Sequence, residues 1–261
     1  MLNALAHYRI ILIDMTEFGI VGYGIVGKAT HRGLLNNCEI KIYDTKLDTQ
    51  LSDLSDVKYA FFCIPTFDNE TVNTLIDEIH RLKKINPACL VIVRCTVPVG
   101  TCHFIEELIQ DSIIYIPEFL RDRCWEEDCL ARPLIVGNDT AVLPEWLSGE
   151  TIVQCSNVEA EVLKMFSNNF AATRTVLANH FYDLSRTVGA DYNTILDCYS
   201  QVAHKQSYLE ANETLRGFGG KCLSKDLDFI IETFATLGLD QTYFNSIRED
   251  NKKWPVTVRT S

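Results

Sequence analysis

The sequence has no apolar run long enough to cross a bilayer. Its longest, Tyr59 to Ile64 and Leu90 to Val93, fall far short of the ~20 residues a spanning helix needs. A membrane partner is therefore not expected. A small-residue cleavage pattern is also missing near the start, where Asp14 and Glu17 follow a short apolar stretch, so no export signal is expected. Positive charge is scarce. The 24 Lys and Arg face 35 Asp and Glu, a net charge of −11, which disfavours nucleic acid, whose phosphates are held largely by Lys and Arg. No Cys-x-x-Cys pair occurs among Cys38, Cys63, Cys89, Cys95, Cys102, Cys124, Cys129, Cys155, Cys198 and Cys222. Reduced, mostly buried thiols in a cytoplasmic protein are expected, with no metal site. Internal repeats and low-complexity segments are absent. What is present is ordinary globular material. A hydrophobic share of 47% and a charged share of 23% exclude a disordered or fibrous chain. The length of 261 residues allows one or two domains.

Residues 1 to 16 carry an apolar patch, Ile10 to Ile13, with no evident role. From Glu17 the chain alternates strand-like and helix-like segments. Phe18 to Val21, Glu39 to Tyr43, Lys58 to Ile64, Cys89 to Arg94, Ser112 to Ile116 and Leu134 to Val136 read as strands. Ile25 to Leu35, Thr71 to Lys84 and Thr101 to Ile109 read as helices. This alternation predicts an α/β fold, a Rossmann-type doubly wound parallel sheet with crossover helices. The continuous Val, Ile, Leu and Phe runs suit strands buried on both faces. Beyond about residue 155 the pattern becomes helical. Asn157 to Val188 lacks Gly and Pro and repeats Val162, Met165, Phe166, Phe170, Leu177, Phe181 and Leu184 at helical spacing. Further helices are expected over Asp191 to Ser200, Ser224 to Leu237 and Gln241 to Lys253. The expected division is residues 1–154 as a dinucleotide-binding domain and 155–261 as an all-helical one.

Gly22-Tyr23-Gly24-Ile25-Val26-Gly27 is a G-x-G-x-x-G turn. Alone it is weak evidence. Here it follows a strand, opens a helix, and has Asp44 at the end of the next strand, which completes the dinucleotide fingerprint. Gly22 allows the tight turn, Gly24 close approach of a pyrophosphate, and Gly27 close helix packing. The helix N-terminus offers free N–H groups and a partial positive charge. Asp44 can accept ribose hydroxyls and would repel a 2′-phosphate, so NAD is expected rather than NADP.

A second cluster lies at Gly217-Phe218-Gly219-Gly220-Lys221-Cys222-Leu223-Ser224-Lys225-Asp226. Its paired glycines suggest an irregular turn with exposed backbone. Cys222, near a helix start and basic side chains, is a candidate nucleophile with a lowered pKa. The same segment also reads as a helix-capping loop with an incidental buried cysteine. Lys164 and Asn168, four apart on one helix face, could stabilise an oxyanion. They could equally be a solvated Lys and a surface Asn. Glu118 and Asp122 follow a strand end, where such sheets bind ligands, or form an ordinary acidic loop.

In this order the pieces resemble the UDP-glucose/GDP-mannose 6-dehydrogenase family. The matching segments are Gly19 to Gly27, Asp44, Cys95 to Thr101, Pro117 to Arg121, Glu161 through Lys164 to Asn168, and Gly217 through Asp226. The resemblance implies a homodimer formed through the long helix. It implies oxidation of the C6 hydroxymethyl of a nucleotide sugar to a carboxylate, with two NAD reduced. Cys222 would form a thiohemiacetal and then a thioester. Lys164 and Asn168 would hold the oxyanion and water. Asp226 would partner Lys164 and the water, Glu118 and Asp122 would form the acidic pair, and Thr96 would stand beside the nicotinamide. Gly22, Gly24, Ile25, Val26, Gly27, Asp44, Lys46, Thr66, Thr96 and Lys225 would contact the cofactor. Glu118, Phe119, Leu120, Lys164, Asn168 and Gly217 to Gly220 would contact the sugar.

The sequence departs from the family pattern at several points. Ser224 stands where proline is common, Asp122 is one methylene shorter than the usual Glu, and Lys221 adds a charge. The family also continues into a third, nucleotide-binding domain about where this sequence reaches Lys252, Lys253 and Trp254, so a form without that domain is expected, completed by a partner chain in one variant of the reading. Two alternatives stay open. A β-hydroxyacid dehydrogenase would share the Rossmann and helical parts without needing Cys222. A cofactor-binding module would bind NAD without turnover.

Overall fold

The computed structural model describes residues 17–36, 38–131, 133–140, 143–147, 150–202, 212–220, 222–236, 238 and 241–257. The patch Ile10 to Ile13, Lys221, and the side chains of Leu177, Phe181 and Leu184 lie outside the described part.

Seven strands form one sheet: β1 (Phe18–Val21), β2 (Lys41–Tyr43), β3 (Tyr59–Phe62), β4 (Leu90–Val93), β5 (Ile113–Tyr115), β6 (Leu134–Gly137) and β7 (Ile152–Cys155). Their spatial order is β2-β1-β3-β4-β5-β6-β7. All neighbours are parallel except β5 and β6, which meet antiparallel through Tyr115 and Gly137. Helices α1 (Ile25–Gly33), α2 (Asn69–Ile85) and α3 (Thr101–Ile109) make the crossovers after β1, β3 and β4, and a short α4 (Trp125–Asp128) follows β5. The Rossmann-type α/β expectation holds. Strand β7 has no counterpart in the sequence reading, because two of its four residues are exposed and the segment lacks the continuous apolar run that marks the central strands.

The central strands are buried on both faces, and alternation assigns their side chains to opposite cores. Val21, Phe62, Val93 and Tyr115 pack on one side with Leu75, Ile79 and Ile105. Ile20, Phe61, Ile92 and Ile114 pack on the other with Val136, Leu147 and Trp146. Because β2 and β3 flank β1 on opposite sides, the chain reverses direction across the sheet beside β1. The crevice beyond the strand ends at that reversal is the general ligand position of open α/β sheets.

Helix α5 (Asn157–Val188) runs for 32 residues, as the absence of Gly and Pro predicts. Ser156 and Glu159 form a reciprocal capping box at its start, and Gly189 ends it with φ +73°. Its polar and small residues face inward. Ala160 joins the sheet core, Met165 packs with Val72 and Phe229, and Ala172 and Val176 pack with Phe218, Leu227 and Ile247. Helices α6 (Tyr192–Val202), α7 (Leu223–Thr236) and α8 (Thr242–Asn251) follow, with a two-strand ribbon of β8 (Gly217–Phe218) and β9 (Val256–Thr257).

Candidate active site

The glycine turn is built as its spacing predicts. Gly22 has φ +88°, a conformation that costs glycine little, and its N–H donates to the Tyr43 carbonyl at 2.8 Å. A Cβ on Gly27 would stand 2.2 Å from the Gly22 oxygen, so α1 can approach the turn only without a side chain there. A Cβ on Gly24 would meet nothing within 4 Å. The space beside Gly24 is therefore open. Helix α1 has neither a capping side chain nor an acid in its first turn. Helices α2 and α5, by contrast, are capped by Asp68 and Ser156. The first N–H groups of α1 are thus left for an anion. Asp44 receives the Tyr23 N–H at 2.7 Å and the Lys46 N–H at 2.8 Å, one on each carboxylate oxygen. Each oxygen keeps a further lone pair. The Lys46 side chain is exposed. Tyr23 is pinned in turn by His31, which bridges its hydroxyl and the Cys38 carbonyl at 2.7 Å each.

At the neighbouring strand ends, buried Thr66 donates to the carbonyl of buried Thr96 at 2.5 Å. Arg94, which the sequence reading passed over, is also buried. Its guanidinium joins Thr30 of α1 to the Ile116 carbonyl after β5, at 3.2 and 2.9 Å.

A charged cluster forms where the sheet meets the helices. Glu118 follows β5, and Lys164 projects from α5. Both are buried, and Lys164 Nζ lies 3.2 Å from Glu118 Oε1. The Leu120 N–H donates to the second Glu118 oxygen at 2.8 Å. Lys164 also lies 5.2 Å from the centroid of the Phe119 ring, which forms a cation–π cover over the pair. Burial pushes the Glu118 carboxyl up, but Lys164, the Leu120 N–H and Arg94 outweigh it and hold it below its ordinary value. Burial likewise opposes the Lys164 charge, but Glu118, Asp226 and Cys222 outweigh it and hold its pKa above the ordinary value. Both groups are therefore charged at neutral pH.

On the same side, Asn168 donates to Asp226 Oδ2. Asp226, at the start of α7, is wholly buried, with Lys225 Nζ 3.3 Å from its other oxygen. The Asn169 amide reaches the Asp226 carbonyl at 3.3 Å. Cys222 immediately precedes α7 and lies within the field of Glu118, Lys164, Lys225 and Asp226. The expectation of a lowered thiol pKa is corrected. Burial, reinforced by Glu118 and Asp226, pushes Cys222 up to about 11, against the opposing pull of Lys164 and Lys225. The resting group is a thiol. Sequence proximity to lysines misled here because it does not show the two carboxylates folded against them. Lys225 also acts on Cys95, the residue before Thr96, so the α7 start faces the end of β4.

Two expected members stand apart. Asp122 is exposed, and its carboxylate has no hydrogen bond or ion pair among the described residues. Gly217 and Phe218 are not an open turn but strand β8. The Phe218 ring is buried in the helical core, and its N–H and carbonyl are both taken by the Asn251 amide at 2.8 Å. Only Gly219 and Gly220, the latter at φ +81°, form a turn at the surface. All ten cysteines carry free thiols. No group of described residues could hold a metal ion, and no described helix is long and apolar enough to cross a membrane.

A glycine-rich turn at the reversal of a doubly wound sheet, followed by a helical part that brings a cysteine, a lysine and two amides to the sheet, defines a Rossmann-type α/β protein with a helical second part. Residues 158–253 match the model of the UDP-glucose/GDP-mannose dehydrogenase family, central domain, so the chain shares that family's central domain. It is 30% identical to UDP-glucose 6-dehydrogenase of Streptococcus pneumoniae over 222 residues, which cover 76% of this chain and 55% of that one. It is 26% identical to UDP-glucose 6-dehydrogenase of Rickettsia typhi, covering 85% of this chain and 59% of that one. The chain thus spans little more than half the length of these curated relatives. Its fold is similar to that of a UDP-glucose dehydrogenase from Pyrobaculum islandicum, at a TM-score of 0.73 and 18% identity over 92% of this chain and 68% of the other.

Proposed function

We infer that this chain oxidises the C6 hydroxymethyl group of a nucleotide sugar, of the UDP-glucose or GDP-mannose type, to a carboxylate. The observation that carries the reading is the convergence of Cys222, Lys164, Glu118, Asn168 and Asp226 at the junction of a dinucleotide-type sheet and a helical layer.

The residues present fit a nicotinamide dinucleotide. Gly22, Gly24 and Gly27 would hold a pyrophosphate near the uncapped N–H groups of Ile25, Val26 and Gly27. Asp44 favours NAD over NADP, because its carboxylate accepts ribose hydroxyls and repels a phosphate. Thr66, Thr96 and Lys225 belong to the cofactor's other end in this reading. Two NAD molecules, bound in succession, would each accept one hydride per sugar.

The protein's own chemistry then runs through Cys222. Oxidation of the alcohol leaves an aldehyde and a proton. The Cys222 sulfur bonds to the aldehyde carbon, and its thiol proton passes to the carbonyl oxygen, giving a thiohemiacetal. Loss of a second hydride and that proton leaves a thioester. Water breaks the C–S bond, returning the thiol and releasing the carboxylate. The resting thiol must give up its proton before or as the C–S bond forms. Lys164 and Asn168 stabilise the oxygen where negative charge develops. Asp226 and Glu118 are the carboxylates placed to orient and deprotonate water. Gly219 and Gly220 present a turn to the sugar, while Phe119 covers Lys164.

The exposed α5 stripe of Val158, Val162, Phe166 and Phe170 supports a homodimer formed through this helix, because a row of large apolar groups on a helix face favours burial. Sedimentation as a monomer at micromolar concentration would remove that part. The test of the activity is NADH formation with NAD and a panel of UDP- and GDP-sugars. Two NADH per sugar consumed are expected. NAD binding without turnover on any sugar would instead identify a cofactor-binding module or a subunit awaiting a partner chain.

A further inference from the structure

Lys164 belongs to the helical layer and Glu118 to the sheet. Their ion pair depends on how α5 sits against the sheet. The nearest polar connection is one helical turn earlier. Glu161 is only 1% exposed. Its Oε2 accepts the Gly100 N–H at 2.7 Å, and its Oε1 accepts the Cys102 N–H at 2.8 Å. These are the N–H groups of the capping residue and of the second residue of α3. Gly100 is the residue capping that helix, with φ +94° and no side chain to cap it, and α3 has no acid in its first turn. The missing cap is supplied from 59 residues away by another helix.

The geometry points to Glu161 as the positioning residue of the site: it latches α5 onto the start of α3 and thereby sets Lys164 on Glu118. This rests on the reading of the cluster as the reacting centre. Glu161 lies three positions before Lys164, so both project from one face of α5. Two hydrogen bonds to two different N–H groups fix the rotation of α5 as well as its height, which one contact would not. The captured segment is the end of the loop from Cys95 to Gly100, which also carries Thr96, and the Thr96 carbonyl is held by Thr66. One carboxylate therefore ties the helix bearing Lys164 and Asn168 to the loop bearing Thr96.

Burying a carboxylate is costly, and an apolar contact would join α5 to α3 more cheaply. Burial indeed pushes the Glu161 carboxyl up, against the opposing pull of the Cys102 thiol and the two N–H donors. Directional bonds at such a junction supply a defined register that apolar packing leaves loose.

The test compares Glu161→Ala and Glu161→Gln with the wild-type chain. The glutamine keeps the reach and one acceptor but sets an amide N–H against a backbone N–H. Amide hydrogen exchange is read first, since it needs no turnover. Both variants should exchange faster at Gly100 and Cys102, and also by about tenfold at Leu120, whose N–H is bonded to Glu118 and not to Glu161. Exchange that quickens only at Gly100 and Cys102 would overturn the inference. Turnover is read second, at a temperature where circular dichroism shows each variant folded. kcat should fall about a hundredfold, as for reacting groups misplaced by an ångström, while NAD affinity is retained. Wild-type kcat in folded variants would show a purely stabilising role and would also overturn it. If the wild-type chain oxidises no nucleotide sugar, the functional reading fails by itself, and the exchange pattern at Leu120 still decides whether Glu161 positions the Glu118–Lys164 pair. Should Glu161→Ala not fold, Glu161→Gln carries both readouts.

Discussion

Lys164 and Glu118 form a buried ion pair across the junction of sheet and helices, 3.2 Å apart. The pair contributes to stability in a pH window with two edges. Glu118 is held below its ordinary pKa, so its contribution is present above about pH 4.3 and is lost as pH falls through the lower folded value. Lys164 is held above its ordinary pKa. Its contribution is present below about pH 10.4 and is lost as pH rises through the higher folded value. Glu118→Gln alone should destabilise by about 3 to 5 kcal/mol, because it strands a buried charge. Urea unfolding across pH checks both. The deficit of the variant should be largest on the neutral plateau and should shrink towards low pH. A deficit independent of pH would contradict the pairing.

The second and third glycines of the turn, Gly24 and Gly27, should respond differently to alanine. Gly27→Ala places a Cβ 2.2 Å from the Gly22 oxygen and should cost about 1 to 3 kcal/mol of stability through overpacking. Gly24→Ala meets nothing in the protein and should leave the melting temperature unchanged. It should still weaken NAD binding, because in the proposed cradle the methyl group would occupy space assigned to the pyrophosphate. Thermal melts with calorimetric titration of NAD separate the two effects. Unchanged NAD affinity in Gly24→Ala would argue against the cradle.

Cys222 should be slow to alkylate at neutral pH. With its pKa pushed up to about 11, only about a thousandth of it is thiolate at pH 8. Its labelling by iodoacetamide, followed by peptide mass spectrometry, should rise with pH towards that value and lag behind the exposed Cys198. Rapid labelling at pH 7 would mean that the lysines dominate its surroundings after all. Cys222→Ser should abolish the second NADH per sugar while leaving NAD binding intact.

Asn251 substitutes for a neighbouring strand. Its amide both accepts from the Phe218 N–H and donates to the Phe218 carbonyl, at 2.8 Å each. Asn251→Ala strands two partly buried backbone groups and should cost about 1 to 3 kcal/mol. Asn251→Asp keeps the acceptor and loses the donor, so it should fall between alanine and wild type in chemical denaturation. Equal stability of all three would show that water replaces the amide.

Much of this arrangement is written locally. The α5 limits follow from a Ser-x-x-Glu box, a glycine stop and the lack of breakers between them. The glycine turn follows from three positions and a distant acid. The parts that escape a reading along the chain are contacts between distant segments. Arg94 looks like a stray charge at the end of an apolar strand until α1 and β5 are placed beside it. The Cys222 surroundings reverse sign because the thiol is buried and because Glu118, 104 positions earlier in the sequence, is folded against it. Gly217 and Phe218 read as a loop because their strand partner, β9, lies at the far end of the helical layer and is only two residues long.

Helix α5 contributes Ala160 to the core beneath the sheet and Ala172 and Val176 to the core of the helical layer. Loosening either core frays the middle of a single hydrogen-bonded rod that the other core also needs. The two layers are thereby joined into one cooperative unit, so heat or denaturant should melt them in a single transition, and a substitution deep in one should register in the amide protection of the other.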